Sequence, residues 1–418
     1  MSKLVVKGGA TLSGSVRVQG AKNSALPILA ASIISGGESV IHNCPDISDV
    51  DDALEILRYL GCRARRDKTK VTVDSSELAR TDVPEELMCR MRGSVLFLGA
   101  LVARAGEAKI SAPGGCRLGP RPVDLHLRAL RAIGIDASEN EGSVRCRCAE
   151  YNGGLVFLPI PSVGATENAM AAASRARGTT VIVNAAREPE ICDLACYLSK
   201  LGVRVFGAGS STVTIEGRKT LNKAAEHRLI PDRIAAATYL CCAAAAGGKA
   251  ELRNVCVLDI CPVIRALREM GCEISRRRDS LTIVSKGKLR AHGGIVTGPY
   301  PAFPTDAQPP LMAASVLAEG SSVFTETVFE KRYRHVPELI KLGADVEVEG
   351  KRALVRGVNS LRGCELKAED LRGGAALATA ALRAEGETVI SGFEYVKRGY
   401  EGFGRTLSEL GAQVVEID

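Results

Sequence analysis

Glu38-Ser-Val-Ile-His42, followed by Ser48 through Leu60-Gly61, sets the pattern of the whole chain. The first segment alternates as a half-buried strand does. In the second, Val50, Ala53, Leu54 and Leu57 make an apolar stripe at helical spacing. Ser48 with Asp51 three residues on predicts a capping box at its start. The helix should stop at Leu60-Gly61, where glycine accepts the left-handed conformation that other residues resist.

That ending recurs six times, at Leu60-Gly61, Ile133-Gly134, Leu201-Gly202, Met270-Gly271, Leu342-Gly343 and Leu410-Gly411, spaced by 73, 68, 69, 72 and 68 residues. A second glycine (Gly37, Gly106, Gly178, Gly248, Gly320, Gly386) opens a strand upstream of each, at distances of 24, 28, 24, 23, 23 and 25 residues. A fixed period of this length is a repeat architecture. Six units in 418 residues divide into two similar domains of three. After each helix comes a hairpin, plainest where Asp345-Val-Glu-Val-Glu turns at Glu349-Gly350 into Ala353-Leu-Val-Arg.

Between each hairpin and the next anchoring glycine lies a second helix, rich in Ala and apolar nearly all round: 25–34, 169–173, 234–246, 311–318 and 375–384. Helices of that kind are buried. Their polar residues gather at the starts: Lys22-Asn23, Arg92, Ser162 to Thr166, Asp232-Arg233, Asp306, and Asp370 with Arg372. Buried helix starts with exposed N–H groups suit anions. The plainer alternative is that these residues cap their helices or make local ion pairs.

The second unit is longer than the others, and the excess falls in Pro113-Gly-Gly-Cys-Arg-Leu-Gly-Pro-Arg-Pro122. Cys116 sits there among glycines beside Arg117 and Arg121, a setting that favours the thiolate and a loop able to open and close. The other 13 of the 14 cysteines are expected to be reduced, buried and inert, because no spacing matches a zinc site or a disulfide framework. No metal is expected. The longest apolar run, 234–246, is too short to span a bilayer, and the start carries no signal-peptide stretch, so a cytoplasmic protein without a membrane partner is expected. A net charge of +7 suits anions, but there is no Trp for base stacking and Arg276-Arg277-Arg278 falls in a hairpin turn. Nucleic acid is not the expected partner.

Seven segments together resemble the enolpyruvyl transferase family: Gly20-Ala-Lys-Asn-Ser-Ala-Leu-Pro27, Pro113-Gly-Gly-Cys116 with Arg121-Pro-Val-Asp-Leu-His126, Ser162-Val-Gly-Ala-Thr166, Asn184-Ala-Ala-Arg-Glu-Pro-Glu190, Leu229-Ile-Pro-Asp-Arg233, Pro301-Ala-Phe-Pro-Thr-Asp306 and Arg398-Gly-Tyr400. The resemblance covers essentially the whole chain. It implies an inside-out α/β barrel, two domains each of three βαβαββ repeats, with helices inside and sheets outside. The first domain would be 22–230, carrying the catalytic lid loop 113–122. The second would be 231–418 together with 1–21.

The implied reaction transfers the enolpyruvyl group of phosphoenolpyruvate to the 3-hydroxyl of UDP-N-acetylglucosamine, by addition and elimination of phosphate, at the first committed step of peptidoglycan synthesis. Such chemistry needs cations for the carboxylate and phosphate, a base for the hydroxyl and an acid for the methylene carbon. By resemblance Lys22, Arg121 and Arg398 contact phosphoenolpyruvate, with Arg92 and Arg372 as further basic residues. Asp306 is the implied base, and an ordinary helix cap otherwise. Cys116 is the implied acid or product-release residue and the target of fosfomycin. Asn23, Asp124, Ser162, Val163, Gly164 and Val328 match contacts to the sugar nucleotide. His126, Glu188 and Glu190 are left out as structural. No organic cofactor or obligate protein partner is implied.

Three positions depart from the family pattern: Arg117 replaces a small residue, Lys397 an acid, and Pro309-Pro310 follow Asp306 where helix formers are usual. The prolines should delay the helix start. Two other functions fit parts of the sequence. A 5-enolpyruvylshikimate-3-phosphate synthase would share the fold, though its relatives lack the Gly-Gly-Cys motif. A non-catalytic repeat protein would account for the charge alone, and an inactive paralog remains open.

Overall fold

The structure, a computed structural model, describes residues 2–111, 123–140 and 142–417. They form two compact units, one within 20–230 and the other made of 2–19 with 231–418.

Each unit carries three four-stranded sheets of one design. In the first, Ala224–Arg228 runs parallel to Glu38–His42, which pairs antiparallel with Lys70–Asp74, which pairs in turn with Arg63–Asp67. The register sets Glu38 opposite both Ala224 and Asp74, and the Val71, Val73 and Ile41 side chains face inward and are buried. The same order recurs with Asp82–Val83, Glu107–Ser111, Ser143–Arg147 and Asp136–Asn140, and again with Gly154–Phe157, Thr179–Val183, Thr212–Glu216 and Arg204–Phe206. In the other unit Leu12–Arg17 supplies the parallel strand of one sheet. Lys3–Lys7 lies between Glu387–Ser391 and Gln413–Ile417, where the other sheets have the second strand of a hairpin.

Inside the sheets lie the Ala-rich helices: Lys22–Ala31, Phe97–Ala105 and Val163–Ala173 in one unit, and Arg233–Ala246, Gln308–Ser315 and Leu371–Ala381 in the other. Every residue from Ile234 to Ala246 is buried. The amphipathic helices, such as Ser48–Tyr59 and Cys261–Glu269, cover the outside of the core with one face each. This is the inside-out α/β architecture. It needs small inner side chains, because a helix packed on all sides leaves no room for long ones.

The six helix-ending glycines all have φ between +93° and +102°. The strand-opening glycines serve two purposes. Gly106, Gly248, Gly320 and Gly386 also have positive φ. At Gly37 the reason is space: a Cβ there would lie 1.9 Å from the Lys223 carbonyl oxygen.

Four sequence expectations change in detail. Ser48 does not form a capping box: the helix starts at Ser48 itself, and the cap position is held by Ile47, whose side chain belongs to the core and offers no hydrogen bond. The first inner helix starts at Lys22, so Lys22 and Asn23 lie in its first turn rather than ahead of it. The delay expected from Pro309-Pro310 takes the form of a 3-10 turn, Thr305–Ala307, after which both prolines sit in the first turn of Gln308–Ser315, where missing N–H groups are tolerated. Cys89, Cys196, Cys256 and Cys261 are exposed rather than buried, because they lie on the outer helices and their connections; Cys44, Cys62, Cys146, Cys241, Cys242 and Cys272 are core thiols.

Gly271 has φ +102° and open space where a side chain would go, so Gly271→Ala isolates the conformational cost and should destabilise by about 1–2 kcal/mol. Gly37→Ala must instead move backbone and should cost more than about 3 kcal/mol. Chemical denaturation of both variants checks this; equal losses would contradict the close-approach account of Gly37.

Candidate functional site

The six inner helices differ in how they begin. Three are capped by side chains: Ser162 Oγ accepts from Ala165 N at 3.4 Å, Asp232 from Ile234 N and Ala235 N at 2.9 Å, and Asp370 from Arg372 N and Gly373 N at 3.0 and 2.9 Å. These three side chains cap their helices, whatever else they contact. The other three starts have no side-chain cap. They carry Lys22, Arg92 and Asp306, which the family resemblance singles out, as it does Ser162, Val163, Gly164 and Arg372 at two of the capped starts.

In the unit 20–230, the buried Lys22 ammonium lies 2.6 Å from Asp49 Oδ2, itself buried in the outer helix Ser48–Tyr59. A buried cation needs such a partner. Arg92 opens the 3-10 helix Arg92–Leu96, which packs against both Lys22–Ala31 and Val163–Ala173; its side chain lies outside the described residues. Asn168 ties Val163–Ala173 to that 3-10 helix and to the helices Phe97–Ala105 and Asp124–Ala132, donating to Val95 O at 3.0 Å and to His126 Nδ1 at 2.7 Å, and accepting from Gly99 N at 2.8 Å. Gly164 matters for its size: a Cβ would lie 2.9 Å from the His126 ring. Val163 is the first residue of its helix, Asp124 is exposed at the start of Asp124–Ala132, and Asn23 is half-buried.

Three carboxylates gather in the same unit. Glu167, Glu188 and Glu190 are all buried, and Glu167 Oε1 has no hydrogen-bond partner among the described residues. Burial, reinforced by Glu190 and then Glu188, pushes the Glu167 carboxyl well above the ordinary glutamate range.

In the other unit Asp306 is held by two buried arginines. Arg332 donates from Nη2 to Asp306 Oδ1, and from Nε and Nη2 to the Thr305 carbonyl at 3.0 and 2.8 Å. Arg372 donates from Nε to Asp306 Oδ2 at 3.2 Å and lies 5.1 Å from the centre of the Tyr400 ring. Its Nη1 has no partner among the described residues. Asp306 lies in the 3-10 turn rather than at a cap position, so the sequence alternative of an ordinary cap is set aside. The buried Glu326 fixes the neighbouring turn, accepting from Val328 N and Phe329 N at 2.8 and 3.0 Å and from Thr305 Oγ1 at 3.0 Å. Val328 itself is exposed, Arg398 follows the short helix Glu394–Lys397, and Lys397 pairs with Glu416 at 3.7 Å. Burial pushes His335, beneath Arg332, down to about 4 despite the opposing charge of Asp370. Cys116, Arg117 and Arg121 lie outside the described residues.

The family model of EPSP synthase (3-phosphoshikimate 1-carboxyvinyltransferase) matches residues 6–407. The chain belongs to the enolpyruvyl transferase family. Among its relatives, "UDP-N-acetylglucosamine 1-carboxyvinyltransferase 2" of Caldanaerobacter subterraneus is 46% identical over 100% of both chains. UDP-N-acetylglucosamine 1-carboxyvinyltransferase of Myxococcus xanthus is 44% identical over 99% of each. The crystal structure of the enolpyruvyl transferase NikO from Streptomyces tendae superposes with a TM-score of 0.90 at 29% identity, covering 99% of this chain and 98% of that one. EPSP synthase from Acinetobacter baumannii shares the fold, with a TM-score of 0.77 at 18% identity and 100% of both chains covered.

Asp49, Glu326 and Arg332 escaped the sequence analysis of this enolpyruvyl transferase. Asp49 sits in an acidic run that reads as a solvated helix start, and Arg332 in Lys331-Arg-Tyr-Arg-His335, which reads as surface. Only the folded chain shows that Arg332 is 1% exposed.

A carboxyl that binds its proton more tightly when folded makes stability fall as pH rises from the unfolded value, about 4.3, toward the folded one. Glu167→Gln should therefore melt higher than the wild type above that pH, with a gap that widens as pH rises and closes below about 4. A gap that does not change with pH, measured by thermal melts across pH 4 to 9, would show that Glu167 is ionised in the folded chain.

Proposed function

We propose that the chain is a transferase that moves the enolpyruvyl group of phosphoenolpyruvate to the 3-hydroxyl of UDP-N-acetylglucosamine and releases phosphate, committing the sugar nucleotide to peptidoglycan. What carries this reading is the match, end to end and at 43–46% identity, to relatives named for that reaction.

In the addition step the sugar hydroxyl oxygen bonds to C2 of phosphoenolpyruvate, its proton passes to a base, and the methylene carbon gains a proton. In the elimination step that carbon returns a proton, the C–O bond to phosphate breaks, and inorganic phosphate leaves. Asp306 serves as the base. Its two oxygens are each held by an arginine from a different segment, which keeps the carboxylate ionised and in one orientation. Lys22, Arg92, Arg121, Arg372 and Arg398 hold the carboxylate and phosphate. Cys116 acts as the acid or in product release. Asn23, Asp124, Ser162, Val163, Gly164 and Val328 contact the sugar nucleotide.

Phosphate release from phosphoenolpyruvate should occur with UDP-N-acetylglucosamine and not with shikimate-3-phosphate. Release only with the latter would keep the family and overturn the acceptor. No release with either would favour an inactive paralog. Asp306→Ala should lower turnover by about two to four orders of magnitude. A mild loss with unchanged substrate binding would remove Asp306 from the base role. Alkylation of Cys116 by a thiol reagent should abolish turnover and be slowed by both substrates together.

A further inference from the structure

One buried carboxylate outside the proposed chemistry reaches three segments at once. Asp193, in the outer helix Pro189–Lys200, is 5% exposed. Its Oδ2 accepts from Ser24 Oγ and, at 3.2 Å, from the backbone N–H of Ile230; its Oδ1 lies 2.9 Å from His227 Nε2. Ser24 is fully buried in the first turn of Lys22–Ala31, directly after Lys22 and Asn23. Ile230 accepts from Ala21 N at 2.8 Å, so the same carboxylate also fixes the segment after the strand Ala224–Arg228 that receives the residue before that helix.

A Ser, an Asp and a His together suggest a nucleophile, but the connectivity forbids it. The serine and the histidine both bond to the aspartate and not to each other, so no base takes the serine proton, and all three are sealed from solvent. The arrangement instead makes Asp193 an anchor. His227, held edge-on by Tyr197 with ring centroids 5.7 Å apart, keeps Oδ1 engaged from behind, and its own Nδ1 has no partner among the described residues. Tyr197 is in turn 2.7 Å from Ser39 Oγ on the strand Glu38–His42.

The helix that carries Lys22 needs such an anchor. Its cap position is Ala21, which has no side-chain oxygen, so nothing at the cap fixes the first turn as Ser162, Asp232 and Asp370 fix theirs. A capping side chain would occupy the N–H groups that face outward from the helix start. Asp193 holds the turn from its buried flank instead. We infer that Asp193, backed by His227, is a positioning residue that fixes the first helical turn bearing Lys22 and Asn23 through Ser24. The consequence for catalysis rests on the function proposed above; the anchoring itself does not.

The test compares Ser24→Ala, Asp193→Ala, Asp193→Asn and the double variant Ser24→Ala/Asp193→Ala in the full chain, with Gly271→Ala as a control that lowers stability elsewhere. Losing the Ser24–Asp193 hydrogen bond, which both variants remove, should raise KM for phosphoenolpyruvate about tenfold in Ser24→Ala and at least as much in Asp193→Ala, which also releases Ile230 and His227. It should also speed amide hydrogen exchange at residues 22–25 by about the same factor. The control should change neither. Asp193→Asn keeps an oxygen for Ser24 and Ile230 and presents its amide to His227, so it should restore most of both readouts. The double variant should be no worse than Asp193→Ala, because Asp193→Ala already removes the bond through which the Ser24 side chain acts. Exchange at 22–25 and KM no different from the control would overturn the inference. If the wild type releases no phosphate with either acceptor, the function fails separately, and exchange at 22–25 alone decides whether Asp193 anchors the turn.

Discussion

A helix enclosed by protein on every side can place charge only at its ends. That constraint governs this molecule. The inner helices are built of Ala and other small residues because sheets and neighbouring helices close in around them, and any polar group along their length would need a partner in the core. Thr238, Thr379 and Ser315 show the tolerated exceptions, each turning its hydroxyl back onto a carbonyl one turn earlier. Lysine, arginine and aspartate are driven to the first turns, where the backbone already offers unpaired N–H groups. The architecture therefore concentrates reactive groups at helix starts before any specific chemistry is considered.

What happens at those starts divides them into two kinds. Capped starts are complete in themselves: the side chain satisfies the backbone and the helix needs nothing more. Uncapped starts borrow their order from elsewhere. Lys22 takes it from Asp49, and Asp306 takes it from two arginines more than twenty residues away in sequence. Arg332 is itself pinned by the Thr305 carbonyl, so the aspartate and the backbone beside it are fixed by one planar group. A lysine at 332, with a single ammonium, has no fork with which to bridge the two.

The repeat was legible because glycine leaves a mark that position alone reveals: six residues in one backbone conformation, at a nearly constant period. Strands and hairpins followed from alternation. The inner helices followed from composition, though their starts were set too late, since Lys22-Asn23-Ser24 reads as a polar leader rather than as a first turn. The capping box at Ser48 failed because Ile47 was needed in the core and took the cap position with it. Lys22 and Asp306 stood out within motifs. Their partners did not, because Asp49, Arg332 and Asp193 acquire meaning only from segments that pack against them across long stretches of chain. Charge in a short acidic or basic run has no local signature of burial. The Cys116 loop, which the sequence marks most strongly, lies outside the described residues, so its role rests on the motif.

The place of the strand Lys3–Lys7 between Glu387–Ser391 and Gln413–Ile417 bears on how the molecule is made. Residues 20–230 find all their sheet partners within their own span and can complete their sheets while the ribosome is still translating the rest. The strand Lys3–Lys7 has no such option. It is made before residues 20–230, yet both of its neighbours are encoded after them, so it stays unpaired while that whole unit is translated. Its short length and its flanking Lys3 and Lys7 suit that wait, since a brief, charged strand is a poor template for aggregation. A strand made ahead of one unit thus becomes an inner strand of a sheet that only the residues beyond that unit can close.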